Sequence, residues 1–335
     1  MAENLLLLLG WLGELIFASW LLSDGAEHLA ERWGGKFVGR TLLSIATTLP
    51  EIAIVVAAAK DGSYGTALGS ALGSNLFMMT LGLAVMLIIA TTKLSKAPQK
   101  FIDVTQFKLD KILLVITAVV GAMLFIDGYD IFDGVIFTGF FGAYLYFAFR
   151  EMRKEKKEAA LESELHTTHE AKMSKKHFGR SMALFIAGTI GIFIGAEPFV
   201  HSLEGVALDS GVSVVVLAVI ISPIAGEMPE KISMILLARK GAHGASIAVA
   251  NVLGSKILNN TLLLAVAIFA AMSYQGFTTK IPNTPLLEDQ MILVTVITII
   301  ALIPMFRNKL GLKSGIMLLI LYGIGIGFQF VLPSL

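Results

Sequence analysis

The chain has 335 residues, 56% of them hydrophobic and only 15% charged, with 26 lysines and arginines against 25 aspartates and glutamates. Soluble domains carry about 25% charged residues, so this is the composition of an all-α, multi-pass membrane protein, and a net charge of +1 gives no reason to expect a nucleic-acid partner. The absence of cysteine excludes disulfides, thiolate metal sites and cysteine nucleophiles; no nucleotide-binding loop, intramembrane metalloprotease motif or serine elbow is present, so an enzyme is not expected.

Crossing about 30 Å of hydrocarbon takes about 20 apolar residues as a helix. Ten runs qualify, near 4–23, 37–59, 64–91, 111–127, 131–149, 181–202, 212–238, 243–272, 290–306 and 314–332. The first, in "MAENLLLLLGWLGELIF", has no basic residue before it and no clear small-residue cleavage site, and reads as a retained span. Glu14 sits near its middle and has no counterpart elsewhere. The third and eighth runs exceed the length needed, and their glycines predict breaks.

Between the fifth and sixth runs lies the one long hydrophilic segment, "REMRKEKKEAALESELHTTHEAKMSKKHFGR". Its acidic residues are interleaved with lysines and do not cluster as a calcium loop requires; His166 and His169 within it read as solvated. It divides the chain into 1–150, a linker at 151–180, and 181–335, with five spans on either side.

Lysine and arginine are retained in cytoplasmic loops. With the N-terminus outside, 21 of the 26 basic residues fall in inner loops, Lys60 and Lys280 fall outside, and Arg40, Lys231 and Lys256 lie within spans. Both termini are therefore expected outside and the charged linker in the cytoplasm.

Two segments break the apolar pattern in the same way. "TTLPEIAIVVAAAKDGSYG", beginning at Thr47, aligns with "GEMPEKISMILLARKGAHG", beginning at Gly226, and both continue into small-residue runs, "ALGSALGSNLFMM" and "AVANVLGSKILNN". Five spans per copy is an odd number, so the copies stand in opposite orientations. Inverted repeats of this kind build secondary transporters, with binding sites near the midplane where interrupted helices meet.

Pro50 and Pro229 displace the carbonyls of Ala46 and Ala225 four residues earlier, and freed carbonyls inside a membrane need a polar partner such as a cavity or an ion. Thr47, Thr48 and Glu51 share one face of a helix, and Gly226, Glu227 and Glu230 repeat the spacing. Each intramembrane carboxylate costs about 2.5 to 3.5 kcal/mol on the insertion scale. Glu51 and Glu230, brought together from opposing repeats, make a hard, all-oxygen site suited to calcium or sodium. The "GSALG" and "ANVLG" runs read as close helix packing.

At these residues the sequence resembles the calcium/cation antiporter superfamily, which includes sodium/calcium and proton/calcium exchangers. The resemblance implies ten helices, the first and sixth sliding against the other eight, with calcium held by Glu51 and Glu230 and by carbonyls near Thr47 and Gly226. In sodium-driven members, sodium is held by hydroxyls matching Thr47 and Thr48 and their second-repeat equivalents, by serines matching Ser74 and Ser255, and by polar residues four positions after those serines. Here Gly226 and Glu227 replace the second-repeat hydroxyls and Met78 replaces one polar residue, leaving Asn259. A proton needs only a carboxylate whose proton affinity is raised by desolvation and a neighbouring charge, and Glu227, one turn from Glu230, offers that charge.

The expected function is export of calcium in exchange for protons, with sodium as the alternative counter-ion. No cofactor is expected, calcium being cargo. Lys231 stands four residues after Glu227, at the spacing of an intrahelical pair. Lys256 takes the position of Asn75, where an ammonium group competes with a bound cation unless it is paired. A cation channel on the same repeats remains a rival reading, separable by its independence of an opposing ion, and a carboxylate-pair protease is a distant third.

Overall fold

The computed structural model describes residues 1–32, 46–163 and 175–332. Among the described residues the regular structure is helical apart from one short antiparallel pair, β1 (Ile102–Asp103) with β2 (Lys309–Leu310). In order the helices are α1 (Ala2–Arg32), α2 (Leu49–Lys60), α3 (Tyr64–Phe77), α4 (Leu83–Thr91), α5 (Lys108–Leu124), α6 (Ile131–Ser163), α7 (Lys175–Ser210), α8 (Val214–Arg239), α9 (Ala242–Leu258), α10 (Leu264–Gln275), α11 (Pro285–Phe306) and α12 (Leu312–Val331). Among the described residues, eight continuous helical stretches are long and apolar enough to cross a membrane. The predicted span at 37–59 lies partly outside the described residues, and the described apolar part of α8, Val214–Met228, is shorter than a full crossing.

The predicted breaks in the third and eighth runs are present, but as π turns rather than glycine breaks. Met78–Gly82 joins α3 to α4, and Asn259–Leu263 joins α9 to α10. A π turn inserts a residue and shifts the helix phase. Each is accompanied by a threonine bonding back one turn, Thr80 Oγ1 to the Leu76 carbonyl and Thr261 Oγ1 to the Ile257 carbonyl. Both turns stand at equivalent positions of the two aligned copies, and so do both threonines.

The helix is interrupted at the proline segment in one copy only. In the first, the chain makes a turn at Thr48 and α2 restarts with Pro50 in its first turn, where the missing N–H costs nothing. In the second, α8 runs unbroken past residue 229. At its N-terminal end α8 packs on α3, where Gly65, Gly69 and Gly73 lie against Val215, Ala218 and Val219.

That glycine row lets two backbones touch without side chains between them, the small-residue packing that replaces hydrophobic driving force inside lipid. A second row does the same for α1 and α7. Gly188 lies on the backbone of Ala18 and Leu22, Gly191 on Ala18, and Gly25 on the backbone of Ser181 and Phe185. The paired helices α1 and α7 meet the rest of the molecule symmetrically, α1 through α8 and α7 through α2.

Loop contacts sort the turns onto two faces. On one, β1 pairs with β2 and the Lys96 N–H donates to the Arg239 carbonyl, gathering 92–107, 239–241 and 307–311. Lys111 is fully buried there and donates to the carbonyls of Val104 and Met305 and to Asn308 Oδ1. On the other face Tyr129 bridges Ile281, and Gln275 donates to the Lys60 carbonyl. The first group holds many of the loop lysines and arginines outside the linker, the second only Lys60 and Lys280. Of the linker, residues 164–174, with His166 and His169, lie outside the described residues; both flanks are helical extensions of α6 and α7.

Candidate cation site

All nine residues singled out from the sequence are buried: Thr47, Thr48, Glu51, Ser74, Gly226, Glu227, Glu230, Ser255 and Asn259. The two "PE" segments meet each other. Thr47 Oγ1 donates to Glu230 Oε1 at 3.4 Å. The Glu51 carboxyl lies directly on Gly226, so close that a Cβ there would stand 2.9 Å from Glu51 Cδ and 3.0 Å from Oε1. Thr47 is equivalent to Gly226 and Glu51 to Glu230, so the two contacts exchange when the halves are exchanged. Each carboxylate of the pair therefore reaches across to the opposite repeat, one helical turn from the other's Cα. The sequence of the second copy makes room for this, because glycine stands where the first copy has threonine.

Asn251 was missed by the sequence analysis. Its Nδ2 donates to Glu230 Oε1 at 2.6 Å, fixing the carboxylate from α9. It lies in the "ANVLG" run, at the position equivalent to Ser70, and an amide in a row otherwise made of small residues was the available signal. Asn75 also crosses between the copies and donates to Asn260 Oδ1. Asn75 and Asn260, together with Asn259, Thr117 and Thr298, are among the polar members of the lining of a small, mainly apolar cavity.

Several buried oxygens make no hydrogen bond among the described residues: Glu51 Oε2, Glu227 Oε2 and the hydroxyls of Ser70, Ser74 and Ser222. A desolvated carboxylate oxygen without a partner is costly, and a hard cation supplies the missing interaction. The donors present are carboxylates, hydroxyls, amides and carbonyls, with no nitrogen or sulfur ligand, which suits calcium, sodium or a proton.

The lysines divide. Lys256, fully buried, forms an ion pair with Glu227 and reaches the Ser74 carbonyl at 3.3 Å. The expectation that Lys231 pairs with Glu227 along the helix fails: its Nζ stands over the Phe77 ring, 3.0 Å from the centroid. Lys256 from the neighbouring helix already holds that carboxylate, and the aromatic face offers Lys231 a cation–π contact instead. Glu227 is therefore paired with Lys256 while it remains the carboxylate neighbour of Glu230, one turn away on α8. Glu14 takes no part in the site; its carboxyl packs on Gly191 and Gly195 of α7.

The profile of the sodium/calcium exchanger protein family matches residues 4–150 and 180–331, nearly the whole chain outside the linker. The chain belongs to this family. It is thus a membrane-embedded member of the calcium/cation antiporter superfamily, a family of exchangers rather than enzymes. The chain is 27% identical over 304 residues to an uncharacterised membrane protein of Methanocaldococcus jannaschii, covering 90% of each. It is 25% identical over 229 residues to the inner membrane protein YrbG of Escherichia coli, covering 68% of this chain and 67% of that one. In fold it is similar to the crystal structure of the H+/Ca2+ exchanger CAX, with a TM-score of 0.78 at 17% identity, covering 99% of this chain and 85% of that one. It is also similar to the sodium-calcium exchanger NCX_Mj, with a TM-score of 0.63 at 23% identity, covering 97% and 98%.

Proposed function

We propose that the protein crosses the cell membrane ten times, as two inverted five-helix repeats, and exports calcium in exchange for protons. The reading rests above all on the exchangeable pair of contacts, Thr47 with Glu230 and Glu51 with Gly226. The equivalent π turns and the symmetric docking of α1 and α7 support the repeat architecture. The basic loops put the face carrying 92–107, 239–241 and 307–311 in the cytoplasm and both termini outside.

Calcium binds from the cytoplasmic side between Glu51 and Glu230, with the Thr47 hydroxyl, Thr48, the Ser74 and Ser255 region and Asn259 completing an oxygen-rich surround. The ion neutralises the two carboxylates, and the α1–α7 pair then slides against the remaining helices and opens the site to the other side. Protons replace calcium on the same oxygens for the return. A site left with two unpaired carboxylates resists the passage because desolvated charge is expensive, and this resistance enforces exchange.

Protons are favoured over sodium because the donors a sodium set needs are thinned: Gly226, Glu227 and Met78 stand where hydroxyls or an amide would serve, and Lys256 projects an ammonium group into the same region. The test is calcium-driven flux in proteoliposomes loaded with a pH-sensitive dye, with and without sodium. Proton movement opposite to calcium in sodium-free medium is the expected result. Flux that requires sodium identifies sodium as the counter-ion, and calcium flow without any opposing ion identifies a channel.

A further inference from the structure

Lys256 has no exposed surface, and it stands where the first repeat carries Asn75. Its ammonium is surrounded by oxygens from separate elements. Glu227 of α8 contributes a carboxylate oxygen, and Ser74 of α3 contributes its backbone carbonyl at 3.3 Å. Asn259, its amide turned so that nitrogen meets the Ser255 carbonyl at 3.3 Å, presents Oδ1 to Nζ at 3.0 Å. A carboxylate, a carbonyl and an amide oxygen converging on one positive centre form the donor set of a hard cation.

A structural role alone accounts poorly for this pair. Buried ion pairs are weak stabilisers, and well-packed apolar residues commonly replace them without loss. This pair, moreover, sits inside the oxygen cluster, and its contact with Ser74 joins the second repeat to the first.

We propose that the Lys256 ammonium is a tethered substitute for a monovalent cation: it fills the Glu227 side of the site permanently, so the protein binds one monovalent ion fewer than it would with a neutral residue at this position. The inference rests on the exchanger reading of the site. Its consequence is a division of labour. Glu227 is discharged from within the chain, and Glu51 and Glu230 remain as two carboxylates whose joint charge equals that of one divalent ion. Lys231 is held apart on the Phe77 ring and does not enter this set. Lys256 is thereby a specificity-determining residue, fixing how many charges accompany each calcium.

The experiment is sodium binding by the purified full-length protein in calcium-free buffer, measured by equilibrium dialysis. The neutral variants K256N and K256Q are expected to bind one more sodium ion per chain than the wild type, and K256R to match the wild type. Sodium should also raise the thermal midpoint of the neutral variants more than that of the wild type, as a ligand bound only by the folded state must. Folded K256N and K256Q binding no more sodium than the wild type would overturn the proposal. A neutral variant that folds only when sodium is present supports it, and one that stays unfolded at every sodium concentration counts against it. The readout involves no calcium transport, so a wild type inactive in calcium exchange would refute the function and leave this count standing.

Discussion

Glu51 lies against Gly226, and the equivalent residue of the other repeat, Glu230, accepts a hydrogen bond from Thr47. Thr47 aligns with Gly226 and Glu51 with Glu230, so each carboxylate touches the segment that carries the other. G226A tests this. The added methyl meets the movable end of the Glu51 side chain rather than backbone, so the fold should survive and the carboxylate should shift. We predict a monodisperse protein whose calcium affinity falls at least about tenfold, roughly 1.4 kcal/mol, measured by calorimetry. Unchanged affinity would mean that the position of Glu51 is irrelevant to binding.

Asn251 Nδ2 donates to Glu230 Oε1 at 2.6 Å, a hydrogen bond to a charged group once the carboxyl ionises to take up calcium. Such bonds are worth about 1.5 to 3 kcal/mol. N251A should therefore weaken calcium binding by roughly ten- to a hundredfold, with a loss of thermal stability small by comparison. A fall in stability without a fall in affinity would make Asn251 a packing residue.

Much of this arrangement was legible in the sequence. A proline beside a glutamate is costly in lipid, and its recurrence at Pro50–Glu51 and Pro229–Glu230 named the carboxylates that the structure brings to opposite ends of two exchangeable contacts. The remainder depends on tertiary neighbours. Nothing in the sequence of α8 says that it continues past residue 229 while the first copy breaks at Thr48. The π turns are set by which carbonyl each N–H reaches, a choice of one residue that the glycines of "GSALGSN" and "ANVLGSK" do not reveal. Asn251 stands among small residues, and the spacing of Glu227 and Lys231 on one helix gives no sign that Lys256 on the next helix is the partner.

The glycine row of α3 carries the packing of the core. A Cβ at Gly73 would run into the backbone carbonyl of Val219, which cannot move aside as a flexible side chain can. Overpacking costs about 1 to 3 kcal/mol, so G73A should lower the thermal midpoint by several degrees. Gly10, with nothing within 4 Å of its would-be Cβ, serves as the control, and G10A should be silent. Equal midpoints for both variants would remove the argument that backbone contact positions α8.

On the face opposite the β1–β2 pair, α2 and α7 are latched. Lys60 Nζ lies 3.0 and 2.9 Å from the two Glu197 oxygens, and His201 Nε2 lies 2.8 Å from Asp61 Oδ2. The Glu197 carboxylate raises the pKa of Lys60 above its ordinary value of 10.5, so this link is present at every pH below that value where Glu197 is ionised, and is lost as the pH rises beyond it. The proposed sliding of α7 would open the latch. The chain has no cysteine, so D61C/H201C introduces a single reactive pair. Joining the two thiols with a short bifunctional reagent should arrest exchange, while either single variant treated alike should remain active. Exchange that continues after complete cross-linking would show that α7 does not move relative to α2.

The most direct measurement is uptake of radiolabelled calcium into proteoliposomes against an imposed counter-ion gradient, comparing wild type with E51Q and E230Q. Each substitution keeps the shape of the side chain and removes one of the two charges on which cation binding depends. The account predicts gradient-driven uptake by the wild type and none by either folded variant. Uptake by E51Q or E230Q at the wild-type rate would contradict it.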